Sequence, residues 1–142
     1  MAPYPTPQEI TTLFAHLTSK NPSAFFSHVS TDVDWELLGT HPLAGHYKSL
    51  SDWKAGALEP INAVLREPLK LQVRNVVGGG DQEWACVELF ADAVCKDGME
   101  YPQRYSWVMR FDDRGMIVQV RAYLDSALVQ KALDRNKGEI KS

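Results

Sequence analysis

Apolar residues recur along this chain at a helical period in its first third and at a strand period from Glu67 onward. Ile10, Leu13, Phe14 and Leu17 stand at i, i+3, i+4 and i+7, one stripe of an α-helix. Its start is signalled by TPQE, with Thr6 as N-cap, Pro7 at the first helical position and Glu9 set to close a capping box. NPSAFFSHV restarts the pattern with Asn21 as cap and Pro22 at the first position, turning Phe25, Phe26 and Val29 inward. These residues predict two short helices or one bent at Pro22. DVDWELLG alternates Val33, Trp35 and Leu37 against Asp34 and Glu36, the two-residue period of a strand. THPLAGHY is turn-rich, and DWKAGALEPINAVL reads as a helix interrupted or kinked at Pro60.

Four strands follow. EPLKLQVRNVV sets Leu69, Leu71 and Val73 against Lys70, Gln72 and Arg74, and EWACVELFADAVC, QRYSWVMRFD and GMIVQVRAYLD are longer runs of the same kind. KDGM and DDRG separate the last three, each with a glycine where a hairpin needs positive φ. Connections this short exclude parallel crossovers, so an antiparallel meander is expected. SALVQKALDRNK closes the chain as an amphipathic helix. Helices first and a meander last give an α+β domain over residues 1–142, a curved sheet rolled into a cone and covered by the N-terminal helices.

Composition narrows the function classes. A net charge of −3 argues against non-specific nucleic-acid binding. No apolar run reaches the length of a membrane span, and MAPYPTPQEI has no basic or apolar leader region. Cys86 and Cys95 fall nine positions apart in one predicted strand, about 30 Å along it. A disulfide needs Cα atoms within about 7 Å. Two reduced thiols in a cytoplasmic protein are expected. No HExxH or CxxC spacing occurs, so no metal site is expected. GGGDQ at 78–82 lacks the Lys-Ser/Thr of a phosphate loop and reads as a hairpin loop.

Candidate chemistry gathers in VQVRAYLD. Arg121, Tyr123 and Asp125 share one face of the strand, and Val118, Val120, Ala122 and Leu124 the other. If the polar face looks into the cone, Asp125 is a proton-transfer group in apolar surroundings, with Tyr123 a donor to a developing oxyanion. Arg121 would then hold an anionic substrate or pin Asp125 in its charged form. If that face looks outward, Asp125 is an N-cap for the last helix and the rest is a solvated surface. His41, in the GTHPLAG turn, is a candidate proton shuttle. Trp35, Phe90, Tyr105 and Trp107 would wall a pocket suited to a flat polycyclic ligand. Glu88 shares Phe90's face and is either a second acid–base group or the sign that this face looks outward.

GTHPLAGHY and RYSWVMRFDDRGMIVQVRAYLDSALV resemble the SnoaL-like branch of the nuclear transport factor 2-like superfamily. The element order extends this over nearly the whole chain, with residues 104–129 the most specific part. The resemblance implies a cone enclosing an apolar pocket, no metal or organic cofactor, and a homodimer. It also implies a pocket carboxylate at the end of the last strand, the position of Asp125. The Arg-x-Asp pair expected for epoxide opening is absent: VELFADA offers Glu88 and Asp92 without an arginine. The expected function is acid–base isomerisation, cyclisation or dehydration of a small hydrophobic carbonyl compound. The alternative is a module that only binds a hydrophobic ligand or associates with itself.

Overall fold

A computed structural model describes residues 2–19 and 21–139; Met1, Lys20 and the last three residues of the expected 1–142 domain lie outside it. Helix α1 (Pro7–Ala15) begins with the capping box, Thr6 and Glu9 each accepting from the other's backbone N–H. A 3₁₀ turn (His16–Thr18) leads to α2 (Ser23–Phe26), so the chain breaks before Pro22 rather than bending through it. Val29, expected on that second helix, instead opens strand β1 (Val29–Leu37). A short strand within the turn-rich passage, β2 (Gly45–Tyr47), pairs antiparallel with β1.

The helical stretch after Ser49 is continuous but not uniform. Helix α3 (Leu50–Trp53) runs into a π turn (Lys54–Leu58) and then α4 (Glu59–Val64). Pro60 has no N–H for the carbonyl of Gly56. That carbonyl lies instead 3.1 Å from the Tyr47 hydroxyl, which is also 2.7 Å from the carbonyl of Leu43. A Cβ on Gly56 would stand 2.5 Å from the Tyr47 ring, so only glycine lets the two come this close.

Strands β3 (Gln72–Gly78), β4 (Trp84–Val94), β5 (Glu100–Phe111) and β6 (Ile117–Leu124) form the predicted meander, with Gly98 and Gly115 at positive φ in its two tight turns. The six strands are ordered β2-β1-β6-β5-β4-β3. One pairing departs from an antiparallel sheet: β1 lies parallel to β6, with Trp35 beside Val120 and Leu37 beside Ala122. Helix α5 (Ser126–Arg135) follows β6 directly.

Two apolar clusters hold these elements together. The larger packs Ile10, Phe14 and Phe25 of the N-terminal helices onto Val33, Trp35, Trp107, Met109 and Phe111 of the concave sheet face. The smaller joins Ile61 and Val64 of α4, Tyr101 of β5 and Val129, Ala132 and Leu133 of α5. Among the described residues, no helix is long and apolar enough to cross a membrane.

Candidate active site

Strand alternation decides which side chains reach the interior of the cone. Val120 and Ala122 of β6 are buried on the concave face, beside Met109 and Trp107 of β5 and, beyond them, Ala85 and Val87 of β4. The polar face of β6 therefore looks outward, correcting the expectation that it lines the cone. Tyr123 is 47% exposed. Arg121 lies on the convex face with its guanidinium 4.7 Å over the Trp84 ring, a cation–π contact. Asp125 is exposed, and its carboxylate accepts from the Leu128 N–H (3.1 Å) as the N-cap of α5. The cause is area: burying Ile117, Val120 and Ala122 of this strand outweighs any placement that would bury a guanidinium and a carboxylate.

The same alternation moves Glu88 and Phe90 out of the pocket. Ala85, Val87, Leu89 and Ala91 fill the inner face of β4, and Trp84, Cys86, Glu88 and Phe90 lie half-buried on the outer one. Glu88 accepts from Asn75 Nδ2 (3.1 Å), and Arg104 stacks over Phe90 while bonding Asp92. Because asparagine is as good an N-cap as aspartate, Asp125→Asn is expected to leave stability within about 0.5 kcal/mol of wild type. Asp125→Ala should cost about 1 kcal/mol. Thermal unfolding of both variants checks this, and a large loss in the asparagine variant would contradict a purely capping role.

The enclosed site lies at the seam of the two clusters. Trp35, Tyr105 and Trp107 line it as expected, together with Trp53, Tyr101, Leu58, Ile61, Ala122 and Val129. Its free volume is about 60 Å³. The sheet rung Leu37–Ala122–Trp107 carries its smallest side chain, Ala122, in the cavity wall.

His41 also lines the cavity and is buried. Gly39, at φ +126°, lets its turn pass α5: a Cβ there would stand 2.1 Å from Ser126 Oγ and 2.9 Å from the His41 ring. Both imidazole nitrogens are engaged by backbone. Nδ1 accepts from the Leu43 N–H (3.2 Å), which leaves Nε2 as the donor to the Leu38 carbonyl (3.2 Å). Burial lowers its pKa, opposed by the bond to Leu38. His41 is thus a neutral turn-holder with no lone pair or proton left for a ligand. A depressed folded-state pKa means that the unfolded chain takes up the proton first as pH falls, so stability is lost below about pH 6.5. His41→Gln should lower stability at neutral pH and flatten the fall between pH 7.5 and pH 5. An equally steep fall in the variant, followed by chemical denaturation, would assign the loss to other groups.

Tyr101 and Gln103 carry the polar chemistry of the interior. Gln103, fully buried on β5, bonds both backbone groups of Asp125: Nε2 donates to the carbonyl (3.2 Å) and Oε1 accepts from the N–H (2.9 Å). Its Oε1 also accepts from the Arg104 N–H (3.1 Å), and its Nε2 reaches the Tyr101 hydroxyl oxygen (3.2 Å). Tyr105 lines the same cavity beside Tyr101. Burial pushes the Tyr101 phenol up to about 12, and the bond from Gln103 opposes that rise. Burial beside Tyr101 holds Tyr105 well above the usual phenol range. The Tyr101 oxygen accepts from Gln103 Nε2, and among the described residues its own proton has no acceptor. The Trp35 indole N–H is likewise buried without a partner.

Sequence reasoning missed Tyr101, Gln103 and Trp53. The signal for the first two was present: they extend the Tyr105–Trp107 face backward at period two. Pro102 hides it by reading as a strand break. Pairing with β6 begins only at Tyr105, so Pro102 stands where β5 has a single strand neighbour.

No protein-family profile matches the chain. It is similar to the dimerizing cyclase phiC of a fungal species, 29% identical over 113 residues that cover 79% of this chain and 50% of that protein. The chain spans about half the length of the curated relatives it matches. Among solved structures it is similar to a nuclear transport factor 2-like protein from Burkholderia thailandensis E264, with a TM-score of 0.74 at 18% identity over 94% of this chain and 98% of that one. It is also similar to TerC co-crystallized with polyporic acid, with a TM-score of 0.70 at 16% identity over 88% of this chain and 95% of that one. By fold, then, the protein is nuclear transport factor 2-like. Its curated sequence relatives are dimerizing cyclases.

Proposed function

We propose that the protein is a cofactor-free cyclase- or isomerase-type enzyme acting on an apolar carbonyl compound inside the cone, with the Tyr101 hydroxyl donating a hydrogen bond to the substrate oxygen. The observation that carries this is the unmatched proton of Tyr101, whose oxygen is held at the wall of an apolar cavity by Gln103 Nε2. In a dry site a fixed donor stabilises the negative charge that grows on a carbonyl oxygen as its neighbouring carbon becomes an enolate or attacks. Gln103 Nε2, donating to the Tyr101 oxygen, strengthens that donor by polarising it. Among the described residues the cavity lining contains no carboxylate, and the only imidazole is fully engaged. The favoured chemistry polarises one carbonyl and holds reacting carbons together, the displaced proton passing to water or to the substrate itself. Carried over from the relatives, this becomes the joining and ring closure of two apolar units. The convex sheet face, with Trp84, Phe90 and Tyr123, is the surface a second copy of the chain would cover. Tyr101→Phe tests the reading: it should abolish most turnover of an accepted substrate and leave binding nearly intact. A module that only binds would show no turnover to lose.

A further inference from the structure

The wall of the cavity is larger than the space it encloses. About 60 Å³ is free, whereas small-molecule sites occupy about 300–1,000 Å³. What fills the cone is the indole of Trp53. It lies flat on Trp35, ring centroids 3.8 Å apart and planes at 18°, while Trp107 meets both rings edge-on at 5.2 and 6.4 Å. Trp35 and Trp107 stand on sheet strands with hydrogen-bonded neighbours on both sides. Trp53 does not. It is the last residue of the four-residue helix α3, and the π turn Lys54–Leu58 begins immediately after it.

The backbone beyond Trp53 is loosely tied. The Glu59 N–H reaches back five residues to the Lys54 carbonyl, Pro60 contributes no N–H, and the Gly56 carbonyl relies on the Tyr47 hydroxyl. This segment can shift without breaking a rung of the sheet. The flat slot on Trp35 is thus occupied by the one ring of the three that is mounted on a yielding support.

We propose that Trp53 is a displaceable plug and a specificity residue: the planar conjugated part of the substrate takes its place against the face of Trp35. This rests on the reading of the cone interior as the substrate site and adds to it a shape requirement. A flat conjugated ring system can replace an indole in a slot of stacking width, and a puckered saturated one cannot. In the wild type the ligand competes with the indole, so apparent affinity is reduced by the fraction of molecules with Trp53 displaced.

The test uses the full chain with ¹⁵N-labelled tryptophan, titrated with 2-acetylnaphthalene and with 2-acetyldecalin, its ring-saturated counterpart. The planar ketone is expected to move the indole N–H resonances of both Trp53 and Trp35 and to bind about tenfold more tightly than the saturated one. Trp53→Ala should bind the planar ketone about tenfold more tightly than wild type by removing the competing ring. Should that variant not fold, Trp53→Leu is read in the same way. Equal affinities in wild type and variant, or binding that leaves the Trp53 resonance unmoved, would overturn the plug while leaving the cavity as the ligand site. Failure of both ketones to bind the wild type and the variants would overturn both readings.

Discussion

Tyr101→Phe should lower kcat by about 10²–10³-fold, the loss measured when one oxyanion donor is removed from a preorganised site. KM should change little, because the lost bond strengthens as charge develops on the substrate oxygen and contributes least in the ground state. The variant keeps the ring and its packing in the smaller apolar cluster. Gln103 retains its bonds to Asp125, since Nε2 donates there as well as to the phenol. Destabilisation should stay near 1 kcal/mol, the net worth of one hydrogen bond. Steady-state kinetics and thermal unfolding on one preparation separate these effects. A rise in KM with kcat unchanged would make Tyr101 a binding group only. Because the phenol is held at about 12, the wild-type rate should show no alkaline fall from this group below about pH 11.

Gln103→Leu is expected to be strongly destabilising, at about 2–4 kcal/mol, or roughly 6–12 °C in Tm for a chain of this size. Leucine fills similar space, so the loss is not a cavity effect. It strands the Asp125 and Arg104 N–H groups, both of which donate to Gln103 Oε1. Beyond the last rung, Tyr105 with Leu124, the Gln103 amide does what the next peptide of β6 would have done. It therefore fixes the point at which β6 turns into α5, and with it the distance from α5 to the phenols. Gln103→Glu, which keeps the acceptor, should be less destabilising than leucine at low pH, where the carboxyl is protonated and can also donate. Denaturant unfolding at two pH values distinguishes the two; identical behaviour would mean that packing, and not the amide, matters at this position.

Much of the fold was legible because its signals are local. The Thr6–Glu9 capping box, the glycines of KDGM and DDRG, and the alternation in β4, β5 and β6 each act within a few residues. The parallel pairing of β1 with β6 was not legible, because nothing near Trp35 refers to a strand about 85 residues away. Alternation also separates two faces without saying which is inside. For β6 the apolar face faces inward, which sends Arg121, Tyr123 and Asp125 to the surface. On β4 the larger side chains, Trp84 and Phe90, face outward, because Trp35, Trp53 and Trp107 already crowd the concave side and leave room there for alanine, valine and leucine. Size alone would have reversed that assignment. The π turn after Trp53 has no sequence signature beyond the proline that follows it.

The account stands on the donor inside the cone, and the carbonyl carbon of a bound ketone reports it directly. With 2-acetylnaphthalene labelled with ¹³C at the carbonyl, the bound resonance should move downfield in the wild type, as a hydrogen bond draws electron density from that carbon. It should return towards the free value in Tyr101→Phe and stay at the wild-type position in Asp125→Asn. A shift that survives loss of the Tyr101 hydroxyl, or that disappears with the Asp125 carboxylate, would contradict the account and return the chemistry to the outer end of β6.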